Sequence, residues 1–299
     1  MKKKHVSLLL AAAMAASVIS GCGNSANNSA AETEKTETTA AAATSAAEET
    51  TAAEAAEDTE KNETDEVVIA TPRDAVQGSG DAYYCWEGAY VWEALTANNG
   101  GVIDPWLAKS WDHNDDCTEW TFNLRDDAYF TDGVQFNADV CLKNIERWGH
   151  GITSTYTTLS IEKSLPNLDK MEKVDDFTVK FTFTQPITTL EYVLSDYGSP
   201  MYSPNCFDEE TGVISDYAIG TGPYKITDHV ESEYVTLERN DNYYGEKGKV
   251  KTFKIRCIPD AETRVSALKS GEVMGLADNG AITMDAAKNL CDTDSSFEM

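Results

Sequence analysis

The chain has 299 residues, with 24 Lys or Arg against 51 Asp or Glu, for a formal net charge of −27 at neutral pH. A surface this acidic repels phosphate backbones, which excludes nucleic acid as a partner. Hydrophobic residues make up 41% of the chain, enough for one or two packed cores downstream of a polar N-terminal stretch.

Lys2, Lys3 and Lys4 precede an apolar run from Val6 to Val18 that is too short for a comfortable membrane span. The run ends in Ile19-Ser20-Gly21-Cys22, small residues ahead of a cysteine in the manner of a lipobox. Residues 1–21 therefore read as a lipoprotein signal peptide, and Cys22 as a lipidated N-terminus that holds a domain at a membrane without a spanning helix. Residues 22–64 read as a disordered tether. From 25 to 64 there is no aromatic residue, and two Lys stand against nine Glu and one Asp. Folding such a segment would bury nothing that offsets its backbone entropy, and like charges extend it.

In the remainder, Val67 to Ala70 predicts a buried strand, followed by a loop from Thr71 to Trp86. Glu87 to Asn98 predicts a helix with Tyr90, Val91, Ala94 and Leu95 inward. Pro105 is expected to open a short helix carrying Trp106, Leu107 and Trp111, and a polar turn follows at Asn114 to Asp116. Trp120, Phe122 and Leu124 alternate with polar residues as in a half-buried strand, and Asp132-Gly133 supplies a hairpin-like turn before Phe136. Asn137 caps a predicted helix to Trp148, with Val140, Cys141, Ile145 and Trp148 on one face. Phe177, Val179, Phe181 and Phe183 mark a strand that Gln185-Pro186 stops, and Leu190 to Leu194 a short helix. Gly220-Thr221-Gly222-Pro223 reads as a flexible-then-rigid bend, a hinge or crossover. Strands are expected at 224–226, 235–239, 253–257 and 273–276. Asp260 caps a helix through Lys269, with Val265 and Leu268 inward and Gly271 ending it.

Motifs for catalysis are absent from the sequence: no H-E-x-x-H, no G-x-S-x-G and no phosphate loop. The chain reads as a binding protein, with no enzyme activity, no cofactor and no metal site. His113, His150 and His229 read as single surface histidines. Cys85, Cys117, Cys141, Cys206, Cys257 and Cys291 form no C-x-x-C pair, which argues against structural zinc, and leaves disulfides and buried thiols both open. Aromatic side chains in loops are the candidate ligand contacts, because they offer large rigid area with a polar tip. Tyr83, Tyr84 and Trp86 follow the first strand, where an α/β lobe presents its carboxyl-end loops; Tyr197 and Tyr202 are further candidates, and Tyr156 a weaker one.

Several segments in order carry a resemblance. They are PWLAKSWDHNDDCTEWTFNLRDDAYFTDGVQF at 105–136, VDDFTVKFTFTQP at 174–186, AIGTGPYKI at 218–226 and ERNDNYYGEKGKVKTFKIRCIPDAETRVSALKSGEV at 238–273. Together they resemble the family 5 extracellular solute-binding proteins, which deliver peptides and nickel complexes to ABC importers. The resemblance implies an α/β periplasmic-binding-protein-like fold of two lobes with an extra domain II. Residues 65–98 and 218–299 would belong to lobe I and 99–217 to domain II, with lobe II absent and the polypeptide truncated at its carboxyl end. It implies a lipid-anchored receptor on the extracytoplasmic face of a bacterial membrane, or in the periplasmic space, that captures oligopeptide or dipeptide for an ABC permease. A nickel chelate is the alternative ligand. Members that grip the chelate's carboxylates with an arginine place it near Tyr197, where this sequence has none. From another class, a surface signalling or adhesion lipoprotein would use the tether as a display stalk, and a permease and ATPase encoded beside the gene would discriminate transport from display.

Overall fold

A computed structural model of the protein describes residues 64–74, 88–153, 158–195, 199–214, 217–278 and 280–297. Two sheets organise them. The first is mixed and five-stranded, comprising β1 (Thr64–Thr71), β10 (Tyr224–Val230), β11 (Tyr234–Arg239), β12 (Val250–Cys257) and β13 (Gly275–Leu276). Their order across the sheet is β10-β11-β12-β1-β13. β1 runs parallel to β12, with Thr71 beside Cys257, and parallel to β13, with Ile69 beside Gly275. β10 and β12 are each antiparallel to β11, so β10, β12, β1 and β13 all point the same way.

Strand period explains how β1 is buried on both faces. Ala70 and Val68 face helix α5 (Ala261–Ser270) with Ala267, Leu268 and Val273. Ile69 points oppositely, into a cluster of Val91, Tyr224, Ile226, Val235, Leu237 and Ile255. Alternate residues thus serve different cores, as a central parallel strand requires. Helix α5 begins as expected: the Asp260 carboxylate accepts from Thr263 N at 2.8 Å. It ends on Gly271 in the left-handed region, φ 77°. Its buried residues are Arg264 and Ala267, however, whereas Val265 and Leu268 are only half-buried.

The second sheet is antiparallel. Its strands are β4 (Ala108–His113), β5 (Glu119–Leu124), β8 (Leu168–Asp175) and β9 (Thr178–Phe183), in the order β4-β5-β9-β8. Trp120 sits opposite Phe181, and Phe122 opposite Val179. All four are buried, while Thr121, Lys180 and Thr182 on the other face are half-buried. Helix α2 (Ala138–Trp148) covers the apolar face. Its N-terminus is closed by Asn137 Oδ1, which accepts from Val140 N at 3.0 Å. Two short ladders, β2 (Thr96–Asn99) with β3 (Val102–Pro105) and β6 (Ile152–Thr153) with β7 (Thr158–Leu159), and single-turn helices α1 (Gly88–Val91), α3 (Ile161–Ser164) and α4 (Leu190–Val193) connect these layers. Helix α6 (Met284–Thr293) is the last described element.

Two predicted helices are not there. Of 87–98, only α1 is helical, and the backbone then extends into β2. Val91, Trp92, Glu93, Ala94 and Leu95 are all buried in succession, so no solvent face exists for an amphipathic helix. Their backbone groups bond to distant segments instead: Gly222 N donates to Val91 O, Met201 N to Glu93 O and Leu107 N to Ala94 O. The expected helix after Pro105 is strand β4, whose backbone pairs with β5 and whose Trp111 stacks on Phe122. Trp106, Leu107 and Trp111 fit helical spacing, but a facing strand satisfies the backbone equally well. The Asp132-Gly133 turn exists, with Gly133 at φ 91°, yet it joins an isolated bridge between Tyr129 and Gln135; the partners of β5 are β4 and β9.

Candidate functional site

The parallel direction of β10, β12, β1 and β13 brings their carboxyl ends to one rim, where open α/β sheets hold their ligands. His229, Cys257, Thr71 and Leu276 lie at those ends. Thr71 is buried, and its hydroxyl donates to Arg73 O at 2.8 Å. Two residues on, Arg73 makes a bidentate pair with Asp278: Nε to Oδ2 at 2.7 Å and Nη2 to Oδ1 at 3.0 Å. Asp74 turns the other way. Its carboxylate contacts His229 Nε2 at 3.0 Å and accepts from Ser232 N at 2.6 Å. His229 is therefore no surface histidine: its side chain is 17% exposed, because the β10–β11 turn folds it under Asp74. His113 and His150 are exposed as expected.

Beneath the rim, Arg264 is buried and donates to main-chain carbonyls. Nε donates to Ala281 O at 2.8 Å, and Nη1 to Ile258 O at 2.6 Å and Pro259 O at 2.8 Å. One guanidinium thus satisfies carbonyls from the loops after β12 and β13, a fixed fork that Lys would not reproduce.

A second polar cluster joins the two sheets. Glu93 is fully buried. Its Oε2 accepts from Thr221 Oγ1 at 2.7 Å, and Oε1 from the Tyr243 and Tyr244 hydroxyls at 2.8 and 2.7 Å. Trp106 also donates to it. Burial pushes the Glu93 carboxyl above its ordinary range, and these donors partly oppose the shift. The Arg125 guanidinium lies 3.9 Å from the centre of the Tyr244 ring. Trp106 and Arg125 flank the second sheet, while Tyr243 and Tyr244 follow β11, so the cluster pins one sheet to the other.

The Gly220-Thr221-Gly222 segment runs through this junction, where Thr221 donates to Glu93. A Cβ on Gly220 would lie 2.0 Å from Val91 O, and one on Gly222 2.5 Å from Tyr90 O. Neither glycine has positive φ, so it is room for another backbone, rather than conformational freedom, that these positions require.

Tyr83, Tyr84, Trp86 and Tyr197, the lipidation candidate Cys22, and also Tyr156 and Cys85, lie outside the described residues. Tyr202 is fully buried, with the Arg147 guanidinium 5.1 Å from its ring centre. Its backbone is held from both sides by Asn144: Tyr202 N donates to Oδ1, and Nδ2 donates to Tyr202 O, each at 2.8 Å. Cys117, Cys141, Cys206, Cys257 and Cys291 are free thiols, and burial pushes Cys141 up to about 12 and Cys206 to about 11. Among the described residues, no group of three or more His, Cys, Asp or Glu is placed to hold a metal ion, and no helix is long and apolar enough to cross a membrane. Sequence reasoning missed Arg73, Asp74, Asp278, Glu93 and Arg264. The adjacent opposite charges of Arg73-Asp74, directly after a buried strand, were the available signal.

Periplasmic binding proteins of known structure share this arrangement over most of the chain. NikA of Brucella suis, solved with Fe(III)-EDTA, superposes with a TM-score of 0.66 at 26% identity, over 77% of this chain and 47% of that one. The peptide-bound DppA of Helicobacter pylori shares the fold at a TM-score of 0.64 and 24% identity, over 78% and 50%. Among curated sequences, the nickel-binding periplasmic protein of Escherichia coli is 30% identical over 188 residues, and the probable D,D-dipeptide-binding protein DdpA of the same organism 29% over 175. These alignments take in 62% and 56% of this chain, which spans only about a third of each relative, 35% and 32%. The profile of the bacterial extracellular solute-binding proteins, family 5, matches residues 102–294, and the chain belongs to that family.

Proposed function

We propose that this protein acts in solute capture for an ABC importer, held at the extracytoplasmic face of the cell membrane by lipid on Cys22, with a short peptide as its solute. The observation that carries the reading is the family match over 102–294, which takes in the whole second sheet and most of the first. The two sheets draw on separate stretches, β1 with β10 to β13 and β4 to β9, which supports assigning 65–98 with 218–299 to lobe I and 99–217 to domain II. Solute would lie against the carboxyl rim, with Tyr83, Tyr84, Trp86 and Tyr197 as contacts, and closure of a facing lobe would give the permease its recognition shape. Tyr202, fully buried against Asn144 and Arg147 of α2, is left out of that set. A nickel chelate is the second reading, favoured by the 30% identity to a nickel-binding protein.

Thermal unfolding of the full-length gene product separates these readings. Addition of the peptide Ser-Thr-Ser-Ala is expected to raise Tm, and nickel with L-histidine to leave it unchanged. A rise with nickel alone would transfer the assignment to the chelate, and no rise with either would reject both. For the anchor, Cys22→Ala should move the protein from the detergent to the aqueous phase on Triton X-114 partition; unchanged partition would sink lipidation.

A further inference from the structure

Arg73 and Asp74 are adjacent in sequence, yet their side chains tie opposite flanks of the rim. Arg73 reaches the loop after β13, an edge strand, through the bidentate pair with Asp278, whose side chain is 5% exposed. Asp74 reaches the β10–β11 turn at the other edge, through His229 and Ser232. Both anchor points share a second property. Among the described residues, only four other than glycine have positive φ: Cys117, Asn167, Ser232 and Asp278. Two of those four are the anchors, at 60° and 85°. Backbone of this kind is held only where its surroundings over-determine it. The rim is laced between the anchors as well, by Cys257 N to Glu233 O and Ile258 N to Thr71 O, both at 2.8 Å.

We infer that Arg73 and Asp74 are positioning residues of the solute rim, forming a strap that couples its two flanks so that they open and close together. The inference rests on reading that rim as the solute-facing edge. A carboxylate held by two donors at each end resists local opening, and one peptide unit joins the two ends, so loosening either end releases the other.

Hydrogen exchange on the full-length protein tests this without a ligand. Arg73→Gln is expected to speed exchange about tenfold at 275–278 and also at the far flank, 229–234, the scale expected when a charge-assisted pair is removed. Asp74→Asn should do the same in reverse, and Asp278→Asn, the mildest change, should reproduce the far-flank effect of Arg73→Gln. Amides of β5 and β9 should keep their rates, which reports an intact fold. Acceleration confined to the flank each residue touches would overturn the coupling. In a second arm, Arg73→Gln should weaken Ser-Thr-Ser-Ala binding more than it lowers Tm. Wild-type protein that binds neither this peptide nor nickel–histidine would reject the proposed solutes, while the exchange pattern still decides the strap.

Discussion

Replacing Gly220 by Ala tests the junction most directly. The new methyl would start 2.0 Å from Val91 O and 2.7 Å from Trp92 Cα, so the two backbones must separate by more than about 1 Å to reach ordinary contact. Separation strains three bonds: Gly222 N to Val91 O and Thr131 N to Gly220 O, both at 3.0 Å, and Thr221 Oγ1 to Glu93 at 2.7 Å. Overpacking alone costs about 1–3 kcal/mol, and one or two lost hydrogen bonds add about 1 kcal/mol each. The expected loss is roughly 2–5 kcal/mol, or a Tm lower by about 5–20 °C for a domain of this size. Circular dichroism during thermal or urea unfolding reads it. Gly133→Ala is the control: its φ of 91° strains any residue with a Cβ, but nothing lies within 4 Å, so only about 1–2 kcal/mol is expected. A loss at Gly220 no larger than at Gly133 would refute the close-approach reasoning.

Two further outcomes follow from the same contacts. The folded carboxyl of Glu93 titrates above its unfolded value, so the native state holds the proton more tightly; stability is full below the unfolded value and declines as pH rises through the folded one. Glu93→Gln should flatten that decline, gaining on wild type as pH rises above the ordinary glutamate range in Tm measured against pH, and parallel curves would count against it. Trp120→Ala removes a fully buried ring, its stacking on Phe122 and its bond to Ile187 O at 3.0 Å. About 3–5 kcal/mol should be lost on urea unfolding, against a smaller loss for half-buried Trp111→Ala.

Legibility in the sequence followed the locality of each signal. β5, β9 and α2 appeared at nearly their observed bounds because each carries its own period and, for α2, its own cap at Asn137. Residues 91–95 misled because five consecutive buried positions have no period. In such a run propensity competes with partners that lie far off in sequence, and here the partners prevailed. At the rim, Arg73 and Asp278 are 205 positions apart and Asp74 and His229 155, so no local sequence window pairs them.

By itself the sequence determined the family, the acidic character, and the strands and capped helices whose patterns repeat over a few residues. Only the tertiary structure decided which strands share a sheet, that Gly220 and Gly222 make room for a neighbouring backbone, and that Glu93, Arg264 and the Arg73-Asp74 strap are held by distant groups. The division has a physical cause. Periodicity and capping are encoded by neighbours in sequence, whereas burial of a charge or close approach of two backbones depends on residues that meet only once the protein has folded.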